Sequence, residues 1–380
     1  MNPDLADHVD IDTLPRLFAW RVLRSPGAEA YRQFDTGTGQ WVSINWAQAG
    51  ARVAQWKAAL ARMQLPRAAK VAILLPNGID AVCIDQAALA LACVSVPLHA
   101  IDNPDSIAYI LGDSEASLLV IASREQWDKI VATGTTLPAL RQVVVTDEGA
   151  QPATGAGAIP VLCLSEWLAG GGQVTDDAHP AADDIASIVY TSGTTGKPKG
   201  VMLTHANVVS NVRATLARVA PNSDDIFLSF LPLSHTFERT AGYYLPIAVG
   251  CCVAYARSVA LLSEDLKTVR PTILISVPRI YERIYSKLTE ILSKSAFKAK
   301  LFATAQSIGW RRFCRKQNLP YDRRSWPLLD ALLWPFMQKI IAEPLLAQFG
   351  GRVRVAVSGG APLSPEIAHC FLGLGLPLLQ

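Results

Sequence analysis

The sequence predicts an α/β protein in which mainly parallel sheets are covered by helices. Short runs rich in β-branched residues alternate with helical patterns along the whole chain, the order that parallel strands and helical crossovers require. Half of the residues are apolar and only 18% are charged. Ordinary soluble domains carry ~25% charged residues, so much of this chain must be buried. At 380 residues it also exceeds the ~250–300 that one core sustains, and at least two lobes are expected.

The elements follow in order. KVAILLP (70–76) reads as a buried strand and GIDAVCIDQAALALA (78–92) as its helix. SVPLHA (95–100) is a second strand, IAYILGDSEA (107–116) a helix, and SLLVIAS (117–123) and RQVVVTD (141–147) two further strands. The Gly/Ala/Pro-rich EGAQPATGAGAIP (148–160) reads as a surface connection. The acidic TDDAHPAADD (175–184) is a second break, which divides the chain into lobes of about 1–178 and 179–380. Strands resume at IASIVYT, VML, IFLSFLP, CCVAYA, TILISVP and RVRVAVS, with helices between most of them.

Helix 278–293 sets Ile280, Ile284, Leu288 and Ile291 on one stripe. A longer helical region, about 296–349, carries Lys298, Lys300, Arg311, Arg312, Arg315 and Lys316. Such a run is most often a solvated helix face; the other reading is a patch for phosphates or membrane headgroups.

A net charge of +3 does not argue for a nucleic-acid partner. Seven cysteines, an odd number without a CxxC pair, sit mostly in apolar runs, as buried thiols of a reducing compartment do. The acidic start MNPDLADHVDID lacks a signal-peptide pattern, so a cytoplasmic protein is expected, with peripheral association at the inner face of a membrane as a secondary expectation. The apolar stretches 81–98 and 241–256 are interrupted by Asp85 and by Pro246 and Gly250. Both read as a core helix running into a core strand, not as the ~20-residue span a bilayer needs.

The most informative segment is YTSGTTGKPKG (190–200). Its glycines allow φ > 0 and close backbone approach. Thr191, Ser192, Thr194 and Thr195 supply hydroxyls, and Lys197 and Lys199 add positive charge. That donor set suits a polyphosphate. It is not a Walker A loop: Gly193 and Gly196 are too close together and Lys197 precedes proline. A Gly/Ser/Thr linker is the bland alternative, but linkers do not carry an ordered Lys-Pro-Lys tail between strands. The loop therefore joins two strands, and a helix begins only after Thr204, a good N-cap, with Val208, Val212, Leu216 and Val219 facing inward.

This segment is similar to the phosphate-binding signature of the adenylate-forming (AMP-binding) superfamily of acyl-CoA synthetases, firefly-type luciferases and peptide-synthetase adenylation domains. LPLSHTFER (231–239) and SVPRIYERIYSKL (276–288) resemble long-chain fatty acyl-CoA synthetases, and SGGAPLSPEI (358–367) resembles the next superfamily motif. The resemblance runs from about residue 12 to the last residue.

It implies that a fatty acid carboxylate attacks the α-phosphate of ATP, that pyrophosphate leaves, and that CoA then takes the acyl group. By the same resemblance Thr191, Ser192, Gly193, Thr194, Thr195 and Gly196 cradle the β- and γ-phosphates, Lys197 and Lys199 add charge or order the loop, and Thr191 also helps to hold Mg²⁺. His235 would lie near the adenylate; without the motif it reads as a capping or core histidine. Gly359, Gly360 and Ala361 match a strand-end turn that flanks adenine, while the same turn with Ser364 as N-cap is also ordinary strand-to-helix structure. Arg279 and Glu282 are expected to form a structural ion pair.

The chain departs from the family at GLGLPLLQ, where the family continues into a Tyr-Gly-x-Thr-Glu segment, a ribose-binding Asp, a hinge and a small domain with the adenylation lysine. The expectation is an incomplete large N-terminal AMP-binding domain over 1–380, with the small C-terminal domain absent. Two readings stand: a ligase whose remainder lies outside this chain, or a non-catalytic nucleotide-binding fragment or decayed enzyme.

Overall fold

A computed structural model describes residues 10–147, 159–170, 179–191, 196–321 and 327–380. The connection expected at 148–160 lies almost wholly outside the described residues. The chain forms two compact units, one of Met1–Ser223 with Pro232–Tyr255, the other of Asp224–Leu231 with Ala256–Gln380.

The strands are β1 (Glu29–Asp35), β2 (Gln40–Asn45), β3 (Lys70–Leu74), β4 (Val94–Pro97), β5 (Ala116–Ile121), β6 (Gln142–Val145) and β7 (Val161–Cys163). Then come β8 (Ile185–Thr191), β9 (Lys199–Thr204), β10 (Ile226–Ser229), β11 (Cys252–Tyr255), β12 (Ile273–Ser276), β13 (Val355–Ser358) and β14 (Leu378–Leu379). Helices of the first unit are α1 (Leu14–Arg24), α2 (Trp46–Ala61), α3 (Ile79–Ala90), α4 (Pro104–Asp113), α5 (Arg124–Val131), α6 (Leu164–Ala169), α7 (His205–Val219), α8 (Thr236–Glu238) and α9 (Leu245–Val249). The second unit holds α10 (Leu262–Val269), α11 (Pro278–Ser293), α12 (Ala296–Lys316), α13 (Pro327–Met337), α14 (Glu343–Ala347) and α15 (Pro365–Gly373).

In the first unit one sheet runs β7–β6–β5–β3–β4–β8–β9, parallel except for β9, which pairs antiparallel with β8. Its middle strands are apolar almost without interruption because helices cover both faces; Val71 to Leu74 and Leu118 to Ile121 are all buried. β8 pairs with β4 through Ser95 and Ser187, so residues 185–204 continue the sheet of residues 70–163. The units thus divide around 224–231 and after 255, and not near 178, because a nonlocal strand pairing spans the acidic break. From β3 the chain turns to β4 on one side and β5 on the other. This is a topological switch point, beyond whose carboxyl ends ligands bind in open α/β sheets.

The two apolar stretches form α3 leading into β4, and a π-helical segment, Arg239–Tyr244, with α9 leading into β11. Asp85 is buried in α3 and is held there by a dense network. It accepts hydrogen bonds from Arg239 Nη2 at 2.7 Å, Ser95 Oγ at 2.6 Å, and the Tyr243 and Tyr244 hydroxyls at 3.0 and 3.1 Å. A buried carboxylate needs such a set of partners, since an unpaired charge in the core costs several kcal/mol, on the order of 3–5.

In the second unit the parallel neighbours are β14–β13–β12–β10. Asp225 ties two of them together, accepting from Thr272 Oγ1 at 2.7 Å and from Arg354 Nε at 2.6 Å. Tyr281, Phe349 and Phe371 pack as an aromatic cluster with centroids 5.5–6.2 Å apart. A Cβ on Gly309 would stand 1.8 Å from the Gly373 carbonyl oxygen, so glycine lets α12 and α15 cross at backbone distance. The stripe expected on α11 is present and faces a cavity. Only Pro278 and Tyr281 of this helix are buried, and Ile280, Ile284, Leu288 and Ile291 line a cavity of about 740 Å³. All seven cysteines are buried thiols. Arg279 and Glu282 are both exposed and join no ion pair among the described residues, so their expected structural role is not seen.

Candidate nucleotide site

The signature segment occupies a strand–loop–strand hairpin, as its flanks predict. β8 ends at Thr191, which pairs with Lys199 at the start of β9. Ser192, Gly193, Thr194 and Thr195 lie outside the described residues. Gly196 has φ +88°, a left-handed conformation in which a side chain would be strained. Gly200 serves a different need. It faces Tyr190 across the hairpin, and a Cβ there would come within 2.7 Å of Ile188 Cγ2 and 3.1 Å of Tyr190 Cζ. The bare backbone lets the Tyr190 ring lie flat over it, and the Tyr190 hydroxyl then donates to Asp113 Oδ2 at 2.6 Å, at the end of α4. Burial, and then the carboxylate that accepts its hydroxyl, push the Tyr190 phenol well up.

Lys197 Nζ stands 5.4 Å from the centroid of the Tyr109 ring, also on α4. An exposed contact of this kind is worth ~0.5–1 kcal/mol, enough to park the ammonium but not to hold it against a polyphosphate. Tyr109 donates weakly to Asp113 Oδ1 at 3.4 Å. Neither Tyr109 nor Asp113 is marked by the motif.

Because β8 runs parallel to β4, the hairpin loop leaves the same edge of the sheet as the residues that follow β3 and β4. Those residues include Asn77 and His99. Asn77 Oδ1 accepts the Leu233 N–H at 3.2 Å, which fixes the segment that carries His235. The His235 and His99 rings lie 5.7 Å apart between centroids, and His99 Nδ1 is 3.6 Å from Asp102 Oδ1. Partial desolvation and then the neighbouring His99 hold His235 below the ordinary histidine range, opposed by Asp102. The ring is therefore neutral at pH 7. His235 occupies the N-cap position of α8 without a side-chain capping bond, so capping does not account for it. His99 was not singled out by sequence; its place just beyond β4, beside the switch point, was the available signal.

Gly359, Gly360 and Ala361 follow β13 in the second unit. The Gly359 N–H donates to the Ser276 carbonyl at 3.0 Å, and Gly360 has φ +79°, where a Cβ would make only an ordinary contact with Val277 Cγ1 at 3.8 Å, so its requirement is conformational. Ser364 sits at the N-cap of α15 but makes no side-chain capping bond. Among the described residues no three His, Cys, Asp or Glu side chains converge on one point.

The sequence profile described as AMP-binding enzyme matches residues 18–380. The chain belongs to this family. Among AMP-binding enzymes it is similar to the peroxisomal long chain acyl-CoA synthetase 6 of Arabidopsis thaliana, 30% identical over 382 residues, covering 97% of this chain and 52% of the relative. It is also similar to human long-chain-fatty-acid–CoA ligase 1, at 31% over 311 residues, covering 78% and 42%. The chain thus spans about half the length of the curated relatives it matches. In fold it resembles the N-terminal domain of FACL13 from Mycobacterium tuberculosis, with a TM-score of 0.68 at 18% identity over 97% of this chain and 75% of that one. An anthranilate CoA ligase, AuaEII, in complex with anthranoyl-AMP gives 0.71 at 18%, over 98% and 60%. No described helix is long and apolar enough to cross a membrane.

Proposed function

We propose that this chain is the nucleotide- and carboxylate-binding part of a cytoplasmic long-chain fatty acid–CoA ligase. The observation that carries the reading is the β8–β9 hairpin, whose signature loop leaves the sheet edge that also presents Asn77, His99 and His235. Thr191, Ser192, Gly193, Thr194, Thr195 and Gly196 would enclose the β- and γ-phosphates. Lys197 would leave the Tyr109 ring and, with Lys199, offset charge on the departing pyrophosphate. A Mg²⁺ held by Thr191 and the nucleotide would bridge phosphate oxygens. Neutral His235 would orient the acyl carboxylate by a hydrogen bond, and the Gly359–Gly360–Ala361 turn is assigned to adenine by resemblance. CoA is the acceptor in the second half-reaction. The long-chain preference rests on relatives at about 30% identity.

The test is fatty-acid-dependent ATP–pyrophosphate exchange by the full-length protein. Exchange driven by aromatic or amino acids and not by palmitate or oleate would refute the substrate class.

A further inference from the structure

Helix α4 ends on an acid. Asp113 is its last residue, and no basic side chain stands in that turn. A carboxylate there opposes the helix dipole, which favours cations at a carboxyl end. The side chain is committed elsewhere: Oδ2 accepts the Tyr190 hydroxyl at 2.6 Å, and Oδ1 accepts that of Tyr109 at 3.4 Å. Tyr109 lies one turn earlier on the same helix, and Lys197 Nζ stands 5.4 Å from its ring centroid. One turn of α4 thus reaches both strands of the hairpin, at Tyr190 on β8 and at Lys197 just ahead of β9.

Strand pleating shows what that hold controls. Side chains alternate along β8, so Ile188 and Tyr190 share the face that packs under α4, and Thr191 is turned to the other face. Across the ladder Gly200 faces Tyr190 and Lys199 faces Thr191. A slip of one residue would exchange the two faces, sending Tyr190 out and Thr191 in. The Tyr190–Asp113 hydrogen bond, added to the apolar contact, secures the register, and with it the side of the sheet on which Thr191 and Lys199 are exposed. Lys197 is held differently. A cation over an exposed ring is weakly bound, and phosphate oxygens offer it a stronger, charge-assisted partner.

We propose that Asp113 and Tyr109 are positioning residues for polyphosphate binding, with opposite effects. Asp113, acting through Tyr190, keeps the hairpin in the register that takes the nucleotide. Tyr109 detains Lys197 until a polyphosphate draws the ammonium away, and so weakens ATP binding in the unaltered protein. The carboxylate sits at an unfavourable helix position because of what it does for the hairpin. The inference rests on the nucleotide-binding reading proposed above.

The experiment is calorimetric titration of the 380-residue chain with ATP and with AMP, urea unfolding showing that each variant is folded. Asp113→Asn and Tyr190→Phe should each weaken ATP binding about fivefold, and together no more than either alone, because they remove one bond. AMP binding should change less, whereas a general loosening of the fold would weaken both nucleotides alike. Tyr109→Leu should bind ATP about two- to fivefold more tightly and leave AMP unchanged; Tyr109→Phe, which keeps the ring, should match wild type. Additive losses at Asp113 and Tyr190, or equal losses for ATP and AMP, overturn the role of Asp113. ATP affinity unchanged or lowered in Tyr109→Leu, or AMP affinity raised as much, overturns that of Tyr109. If the unaltered chain binds no ATP, the nucleotide-binding reading and this inference fall together. If it binds ATP and the variants match it, only the inference falls.

Discussion

Leu14 opens α1, and its N–H, one of the donors a helix leaves free at its start, is taken by Nδ1 of His205 at 3.2 Å. The preceding Thr13 makes no side-chain cap. His205 is 1% exposed, and burial holds it down to about 4 from 6.5, despite opposing carboxylates led by Asp184. Protonation would turn the acceptor into a donor facing a donor. Between pH 6.5 and 4 the unfolded chain binds a proton that the folded chain refuses. The stabilisation is therefore complete above 6.5 and is lost as pH falls toward 4. Two and a half pH units correspond to on the order of 3 kcal/mol. His205→Asn keeps an acceptor near Nδ1 but does not titrate. In urea unfolding at pH 7 and 4.5, the variant should lose about 2–3 kcal/mol less than wild type between the two pH values. Parallel losses would show that His205 does not carry the acid sensitivity.

Lys199→Ala or Thr194→Ala in the full-length protein should cut fatty-acid-dependent pyrophosphate exchange by more than about tenfold, ~1.4 kcal/mol of transition-state stabilisation; unchanged exchange would remove the loop from the site. Gly200→Val should displace the Tyr190 ring and weaken ATP binding in equilibrium dialysis, whereas Val201→Ala on the same strand should leave it intact. Arg239→Met should destabilise the fold by about 3–5 kcal/mol because Asp85 stays buried without its cation, and Arg239→Met combined with Asp85→Asn should recover part of that loss in urea unfolding. A single variant as stable as wild type would contradict the network.

The parts of the fold that could be read from sequence are those in which local pattern and burial agree. α11 falls at 278–293 as its periodicity and Pro278 predict, and α7 starts behind Thr204, which forms a capping box with Asn207. β3, β5 and β6 announce themselves as apolar runs buried on both faces. The unit boundary was not legible, because the pairing of β4 with β8 is a property of the closed sheet and not of either segment. The same holds for the Asp85–Arg239 network, although an aspartate inside an otherwise apolar helix was a visible hint. In the site the phosphate signature was plain, but Tyr109, Asp113 and His99 reach it only through tertiary placement. The stripe on α11 was legible as a stripe, and the structure adds that it lines a cavity, since periodicity identifies a face without saying what lies against it.

The seven buried thiols turn the protein into its own reporter of opening. Burial raises Cys93 to about 11 and Cys370 to about 12, and pushes Cys83, Cys252 and Cys314 upward too, so at neutral pH these sulfurs are protonated and hidden together. Alkylation proceeds through the exposed thiolate. A modified cysteine therefore records an excursion in which its own neighbourhood came apart. Cys83 lies within α3 and Cys93 just before β4, Cys251 and Cys252 mark the start of β11, and Cys314 and Cys370 lie on α12 and α15. Site-resolved labelling over time would thus rank the two units by how often each lets solvent in, with no probe introduced by mutation.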